Sequence, residues 1–327
     1  MRNPLDPKAG RSRYERIDLR GVRTVPVDKR PSKVRVEQFA PAPDPAAPIA
    51  SLDQFLPDLL TGSALRELLE RWVLARTAGR PAVAMIGGHV VKTGVQRPLL
   101  SLMEAGAFSA LAMNGAAAIH DFEIAFFGAT SEPVEETLLT GQFGLVEETP
   151  ILMNQAVKEG VKRGLGLGES LGEFILDAEA PHASLSLLGQ AVARDLPVTV
   201  HVAIGTDTIH QHPSFDPAAT GAATHADFTI FAAALREIED GVVFNFGSAV
   251  IMPEVFLKAL STVRNLGHPA ARFVAASFDQ IRHYRPEKNV LERPLRAGGK
   301  GFAFVGPHEL WIPLLAALYL GRAPHAR

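Results

Sequence analysis

Short, almost wholly apolar runs alternate along the chain with longer stretches in which apolar residues return at helical spacing. Ala82–Ile86, Ser109–Met113, Val198–Ala203, Val242–Phe246, Phe273–Ala275 and Phe302–Val305 are runs of the first kind. Each is closed by glycine or polar residues, and they predict strands. Helices are predicted over 51–79, with Ser63 as an N-cap for the second half, and over 96–105, 150–177, 183–194, 225–239 and 253–266. Strands that alternate with helices form parallel sheets covered on both faces, joined by right-handed crossovers. The expected fold is α/β: a doubly wound, mostly parallel, Rossmann-like sheet in a single nucleotide-binding-like domain over 51–327.

Residues 1–50 break the pattern. They are rich in Pro, Arg and Lys and end in Ala40–Ala47, "APAPDPAA", a composition that buries little surface. An extended arm is expected, either disordered or docked on the surface or a neighbouring subunit. The alternation in "VRTVPVD" and "KVRVEQF" would let it add edge strands.

Composition narrows the partners. Of 327 residues, 47% are hydrophobic, yet no uninterrupted apolar run approaches the roughly 20 residues of a membrane span. A net charge of −2 gives no electrostatic reason for a nucleic-acid or anionic-membrane partner. The absence of cysteine removes disulfides, thiolate metal sites and cysteine nucleophiles, and suits a reducing cytoplasm. The first residues contain no apolar core of a secretory signal, so a cytoplasmic protein with a small-molecule substrate is expected.

Every predicted strand runs into a short polar or glycine-bearing loop. These are "GGHVVKTG" (Gly87–Gly94), "NGAAAIHDFE" (Asn114–Glu123), "IGTDTIHQHP" (Ile204–Pro213), "NFGSAVIMPE" (Asn245–Glu254), "SFDQIRHYRP" (Ser277–Pro286) and "VGPHE" (Val305–Glu309). In an open parallel sheet such loops share one edge, and ligands bind in the crevice there. His89, His120, His201, His210, His212, His283 and His308 all fall at strand ends or in these loops. The plainer alternative is that loops are polar because they lie on the surface.

"GGHVVKTG" is not a P-loop, because Val91 rather than glycine precedes Lys92. Gly87, Gly88 and Gly94 still permit close backbone approach to a ligand, while His89, Lys92 and Thr93 could contact one. A tight turn with a solvated lysine is the competing reading. "GLGLGES" (Gly164–Ser170) misses the dinucleotide fingerprint at Glu169 and Leu171, and is expected to break a helix. In "NGAAAIHDFE", Asn114 and Gly115 leave a strand, and His120 with Asp121 offers acid–base chemistry. Asp121 could equally be a helix cap, and adjacent helical residues do not share a face. In "NFGSAVIMPE", Asn245, Gly247 and Ser248 could hold a ligand on free N–H groups, with Pro253 opening a helix. The "VHVAIGTDTIHQHP" stretch could place His210 and His212 on one side as metal ligands, completed by His201, Asp207 and either His225 or Asp227. Against that, His201 lies in a predicted buried strand, where a hydrogen-bonded core histidine is the commoner outcome.

The order of these motifs resembles the deoxyhypusine synthase family over about Pro81 to Asp279. "GGHVVKTGVQRPLLSLMEAG" is similar to the family's first turn into a helix. "ALAMNGAAAIHDFEIAF" is similar to its two glycines followed by two acidic residues, with Asp121 and Glu123 in the acidic region. "LGQAVARDLPVTVHVAIGTDTIHQHP" resembles its helix, strand and Thr-Asp-Gly loop, matched at Thr206 and Asp207, and "VVFNFGSAVIMPEVFLKAL" resembles its glycine turn. The resemblance implies a deoxyhypusine synthase-like fold, NAD, transferase-like chemistry and a homo-oligomer, dimer or tetramer. The family's catalytic lysine, however, matches Met252 here, and Lys258 lies about two turns later. The family's acidic, glycine-rich final loop is replaced by "SFDQIRHYRPEKNVLERP". Without the amine nucleophile, deoxyhypusine synthesis is not expected.

The expectation carried forward is an enzyme that binds NAD or another nucleotide at the strand-end crevice. Its catalytic candidates are His120, Asp121, Asp207, His210 and Lys92. Its cofactor-binding candidates are Gly88, His89, Thr93, Gly94, Asn114, Gly115, Thr206, Asn245, Gly247 and Ser248, and no metal ligand is assigned. The alternatives are a divalent-metal-dependent hydrolase or lyase built on the His/Asp cluster, and a non-catalytic ligand-binding member of the fold.

Overall fold

A computed structural model describes residues 48–322. All but the last residues of the expected arm, including both candidate edge strands, lie outside the described residues. The strands are β1 (Ala82–Ile86), β2 (Ala110–Asn114), β3 (Val198–His201), β4 (Val242–Phe246), β5 (Val274–Asp279) and β6 (Lys300–Val305). They form one six-stranded sheet in the order β3-β2-β1-β4-β5-β6, and every pairing is parallel. The expected Rossmann-like α/β architecture is therefore the one found.

The helices in chain order are α1 (Leu60–Thr77), α2 (Gly88–Lys92), α3 (Gln96–Glu104), α4 (Gly115–Phe127), α5 (Val134–Leu139) and α6 (Glu148–Lys162). They continue with α7 (Leu167–Asp177), α8 (Leu187–Val192), α9 (Pro217–Ala234), α10 (Ile251–Asn265), α11 (Tyr284–Pro286) and α12 (His308–Leu320). Alternate strand residues feed two apolar layers. Ala82, Ala84 and Ile86 of β1 face a layer built with α1, α3, α4, α7, α8 and α12. Val83 and Met85 face α9, α10 and the π-turn Glu287–Glu292. Trp72 anchors the first layer: its ring lies 4.5 Å from Phe244 and 4.2 Å from Tyr319, and its Nε1–H donates to the Ala107 carbonyl at 2.8 Å.

Several boundaries differ from expectation for identifiable reasons. The helical stretch 150–177 is two helices, α6 and α7, parted at Gly164 with φ +79°, so "GLGLGES" breaks it as expected. Helix α9 starts eight residues before the expected 225, because Asp216 caps it by accepting from the Ala218 and Ala219 N–H groups and Pro217 fits the first turn. Helix α1 starts at Leu60, so Ser63 lies inside its first turn rather than at its cap. Helix α10 starts at Ile251, so Pro253 sits in its first turn and does not open it. Strand β5 runs on to Asp279 because Ser277 and Phe278 pair with Asn245 and Phe246, which an apolar count alone does not reveal.

Strand order reverses between β1 and β4, and the turns that leave them touch. A Cβ on Gly87 would lie 2.1 Å from the Gly247 carbonyl oxygen, so the two backbones abut with no side chain between them. Gly87→Ala must push these turns apart. The variant is expected to lose about 1–3 kcal/mol in urea unfolding, and a wild-type midpoint would show that the contact is not tight.

Candidate functional site

A cavity of about 470 Å³ opens beside the C-terminal ends of β1, β2 and β3. Lys92 from the end of α2, Ala116, Ile119, His120, Glu123 and Phe127 from α4, and Thr206 and Asp207 beyond β3 all line it. The segment between α4 and α6 closes the other side with Thr130, Glu132, Val134, Phe143 and Val146, joined by Thr149 at the start of α6. Four of the residues singled out in the sequence, Lys92, His120, Thr206 and Asp207, thus share one cavity.

Asp207 lines it, and His210 stands behind Asp207 outside the lining; their side chains are 8% and 2% exposed. His210 Nδ1 accepts from the Gly205 N–H at 3.1 Å and the Asp207 N–H at 3.3 Å. A neutral ring that accepts at Nδ1 carries its proton on Nε2. That Nε2 lies 3.9 Å from Asp207 Oδ2, and neither atom has a hydrogen-bond partner among the described residues. Burial pushes the Asp207 carboxyl up to about 6 and pulls the His210 imidazole below its ordinary value. Gly115 makes the space: a Cβ there would lie 2.0 Å from Asp207 Oδ2.

One turn into α4, His120 Nδ1 lies 2.6 Å from Thr130 Oγ1 and 3.8 Å from Glu123 Oε2. Thr130 Oγ1 donates to Glu123 Oε2, and Thr149 Oγ1 donates to Glu123 Oε1 at 3.2 Å. Burial alone would raise the Glu123 carboxyl, but the nearby His120 ring and the hydrogen bonds from Thr130 and Thr149 hold it below its usual range. Thr130 and Thr149 carry no sequence motif. Glu123, one helical turn after His120, is the partner that the spacing could have pointed to.

Other candidates lie elsewhere. Asp121 is fully buried and turned away from the cavity, where it accepts from Ser186 Oγ at 2.6 Å and from the N–H groups of Leu187 and Leu188. It ties α4 to the start of α8, and burial raises its carboxyl to about 6. Asn114 caps α4 by accepting from the Ala117 N–H, Gly88 packs on Ala116, Thr93 Oγ1 donates to the Val90 carbonyl, and Gly94 makes a turn at φ +75°. His89, Asn245, Gly247 and Ser248 gather across the switch point. There His89 Nε2 contacts Gln280 Nε2 at 2.8 Å, Asn245 Nδ2 donates to the Ser248 carbonyl, and Ser248 Oγ accepts from the Met252 N–H. Gly247, at φ +64°, lies against buried His308, whose ring nitrogens have no partner among the described residues.

The histidines considered as metal ligands separate. His201 is buried, contacts Thr199 Oγ1 at 3.0 Å and sits edge-on to Phe231, and burial lowers it to about 4. His212 Nδ1 contacts Ser214 Oγ at 2.8 Å. Asp227 is raised by burial to about 7 and accepts from the Gly168 and Val200 N–H groups, which knits α7 to β3. Among the described residues, no group of three or more His, Asp or Glu side chains is placed to hold a metal. No helix among them is long and apolar enough to cross a membrane.

No protein-family model matches the chain, and no curated protein does. Among solved structures, the chain is similar to a provisionally named deoxyhypusine synthase from Entamoeba histolytica, at 9% identity over 85% of this chain and 95% of that one (TM-score 0.49). It is similar to a provisionally named, conserved LOR/SDH protein from Methanococcus maripaludis S2, at 15% identity over 85% and 71% (TM-score 0.48). It is also similar to ArgZ, an arginine dihydrolase from the ornithine-ammonia cycle in cyanobacteria, at 18% identity over 80% and 32% (TM-score 0.47). The chain therefore spans about a third of the arginine dihydrolase's length. The likeness is shared by differently named proteins and is not specific to deoxyhypusine synthases.

Burial of the Asp207 carboxyl, whose Oδ2 has no partner among the described residues, has a measurable cost. Below about pH 3, Asp207 is neutral in the folded and unfolded chains alike. As pH rises from there to about 6, the unfolded chain releases its proton first and stability falls; above that the penalty is constant. Asp207→Asn removes the penalty. It is expected to exceed wild type by about 1–3 kcal/mol in urea unfolding near pH 8 and to approach it as the pH falls to about 3. Equal stabilities at both pH values would mean that the carboxyl is well solvated.

Proposed function

We propose that the protein is an enzyme that binds NAD or a related dinucleotide across the switch point and performs acid–base chemistry on a small molecule in the neighbouring cavity. The observation that carries this reading is the strand order β3-β2-β1-β4-β5-β6, all parallel. Sheets wound this way bind dinucleotides in the crevice where the order reverses, outside the C-terminal strand ends. The residues there suit such a ligand in two respects. The floor between Gly87 and Gly247 is bare backbone, and Asn245 Oδ1 and the His308 ring nitrogens are buried polar atoms with no partner among the described residues. In one respect they depart from the usual pattern: Asn114, at the end of β2, spends its side chain on capping α4, where dinucleotide domains commonly place an acidic ribose contact.

When bound, the cofactor would supply hydride transfer. The protein's own part is played in the cavity. Asp207, raised by burial, and His120 are the proton-handling groups, and Lys92 at the rim offers a cation to a phosphate or carboxylate. The apolar wall of Ile119, Phe127, Val134, Phe143 and Val146 excludes water from part of the space. Lysine-imine chemistry on α10 has no support: Met252 is buried, and exposed Lys258 pairs with Glu254. Deoxyhypusine synthesis is accordingly not proposed.

Thermal unfolding with NAD, NADH and adenine nucleotides tests the reading. At least one is expected to stabilise the protein, by about 2.7 kcal/mol at 100 times its dissociation constant, and no shift with any of them would overturn it. Val146→Trp, at a residue 43% exposed on the cavity wall, should leave the unliganded melting temperature unchanged. A nucleotide shift that survives this variant would place the cofactor across the switch point alone. A lost shift would place part of it in the cavity.

A further inference from the structure

We propose that Glu123, acting through Thr130, fixes His120 with its proton on Nδ1, so that Nε2 accepts a proton from a substrate hydroxyl or ammonium group. This assignment deepens the acid–base reading of the cavity and rests on it. Thr130 supplies the proton accounting. A threonine hydroxyl has one hydrogen, and here it is given to Glu123 Oε2. The 2.6 Å contact between Thr130 Oγ1 and His120 Nδ1 then holds only if Nδ1–H is the donor. The opposite assignment would leave the Thr130 oxygen facing a carboxylate oxygen with no hydrogen between them. Thr149 donates to the other oxygen of Glu123, which keeps the carboxylate turned toward Thr130.

Backbone geometry holds the relay. Gly128 ends α4 in the left-handed region at φ +65°, and its Cα packs on the His182 ring. That turn brings Thr130 back over His120, ten residues away in sequence. His120 is 18% exposed and lines the cavity, and its Nε2 makes no hydrogen bond among the described residues. Proton transfer breaks the substrate X–H bond, forms Nε2–H and leaves the electron pair on X. The resulting imidazolium keeps its Nδ1–H bond to Thr130, with the Glu123 carboxylate 3.8 Å away to offset the new charge. His120 is the catalytic residue in this scheme, and Glu123 and Thr130 are positioning residues.

Nitrogen-15 NMR of the full chain, followed through a pH series to the end of the ring's own titration, reads the tautomer of the neutral ring directly. In wild type and Thr130→Ser, the attached proton is expected on His120 Nδ1. In Thr130→Val the tie is lost, and the proton is expected to shift to Nε2 or to divide between the two nitrogens. Thr130→Ala provides the same loss with less bulk should the valine disturb folding. An Nε2–H tautomer in wild type, or the same Nδ1–H signal in wild type and in the folded variant lacking the hydroxyl, would overturn the assignment. The spectra need no cofactor, so they decide the tautomer independently of the nucleotide titration. Nucleotide binding with the wrong tautomer sinks only the relay, and the right tautomer without nucleotide binding sinks only the cofactor reading.

Discussion

A parallel sheet covered on both faces has few places for polar side chains. Strands β1 and β4 are buried at every position, and the apolar layers on either side take alternate residues. Polar groups are pushed to where the strands end, and all C-terminal ends lie along one edge. There the turns must also diverge, because the connections from β1 and from β4 pass to opposite faces. The contact between Gly87 and Gly247 marks that divergence. A side chain at Gly87 would have to displace a carbonyl, so the crevice floor is backbone and the functional groups stand to its two sides.

Within this frame, burial of a carboxyl does not by itself mark a working residue. Asp121, Asp207 and Asp227 are all raised by burial, to about 6, 6 and 7. Asp121 and Asp227 accept from backbone N–H groups and hold helices to their neighbours, so their burial is offset by structural bonds. Asp207 Oδ2 has no such bond, and His210 Nε2 stands 3.9 Å away. A buried oxygen with no partner is destabilising, and strain of that kind is tolerated where a ligand completes the set. Asp227 also has a buried oxygen without a partner among the described residues, Oδ1, but its Oδ2 takes two backbone N–H bonds; what separates Asp207 is its place on the cavity lining.

What could be read in the sequence follows the same physics. The apolar runs were visible because strands buried on both faces need them, and the polar loops were visible because those runs stop abruptly. Helix α12 gave no such signal because it is apolar nearly all round and contains Pro313, so no amphipathic period shows. Strand β6 is an edge strand whose exposed Lys300, Gly301 and Ala303 dilute its apolar signal. At His120 and Asp121 the chain offered an adjacent pair, yet neighbours on a helix point in different directions: one lines the cavity and the other caps α8. Thr130 and Thr149 were not legible at all. They meet Glu123 only through the fold, Thr149 from 26 residues away.

The two histidines at the site show why residue type alone underdetermines chemistry. His210 accepts backbone N–H groups at Nδ1, which places its proton on Nε2, facing Asp207. His120 contacts a hydroxyl already committed to a carboxylate, which calls for the opposite tautomer. One ring is thereby set as a donor near a buried carboxyl and the other as an acceptor toward the cavity. Both settings come from contacts within the protein. The same side-chain type thus presents a protonated nitrogen to Asp207 in one place and an unprotonated one to the cavity in the other, and what differs is the neighbour that each Nδ1 meets.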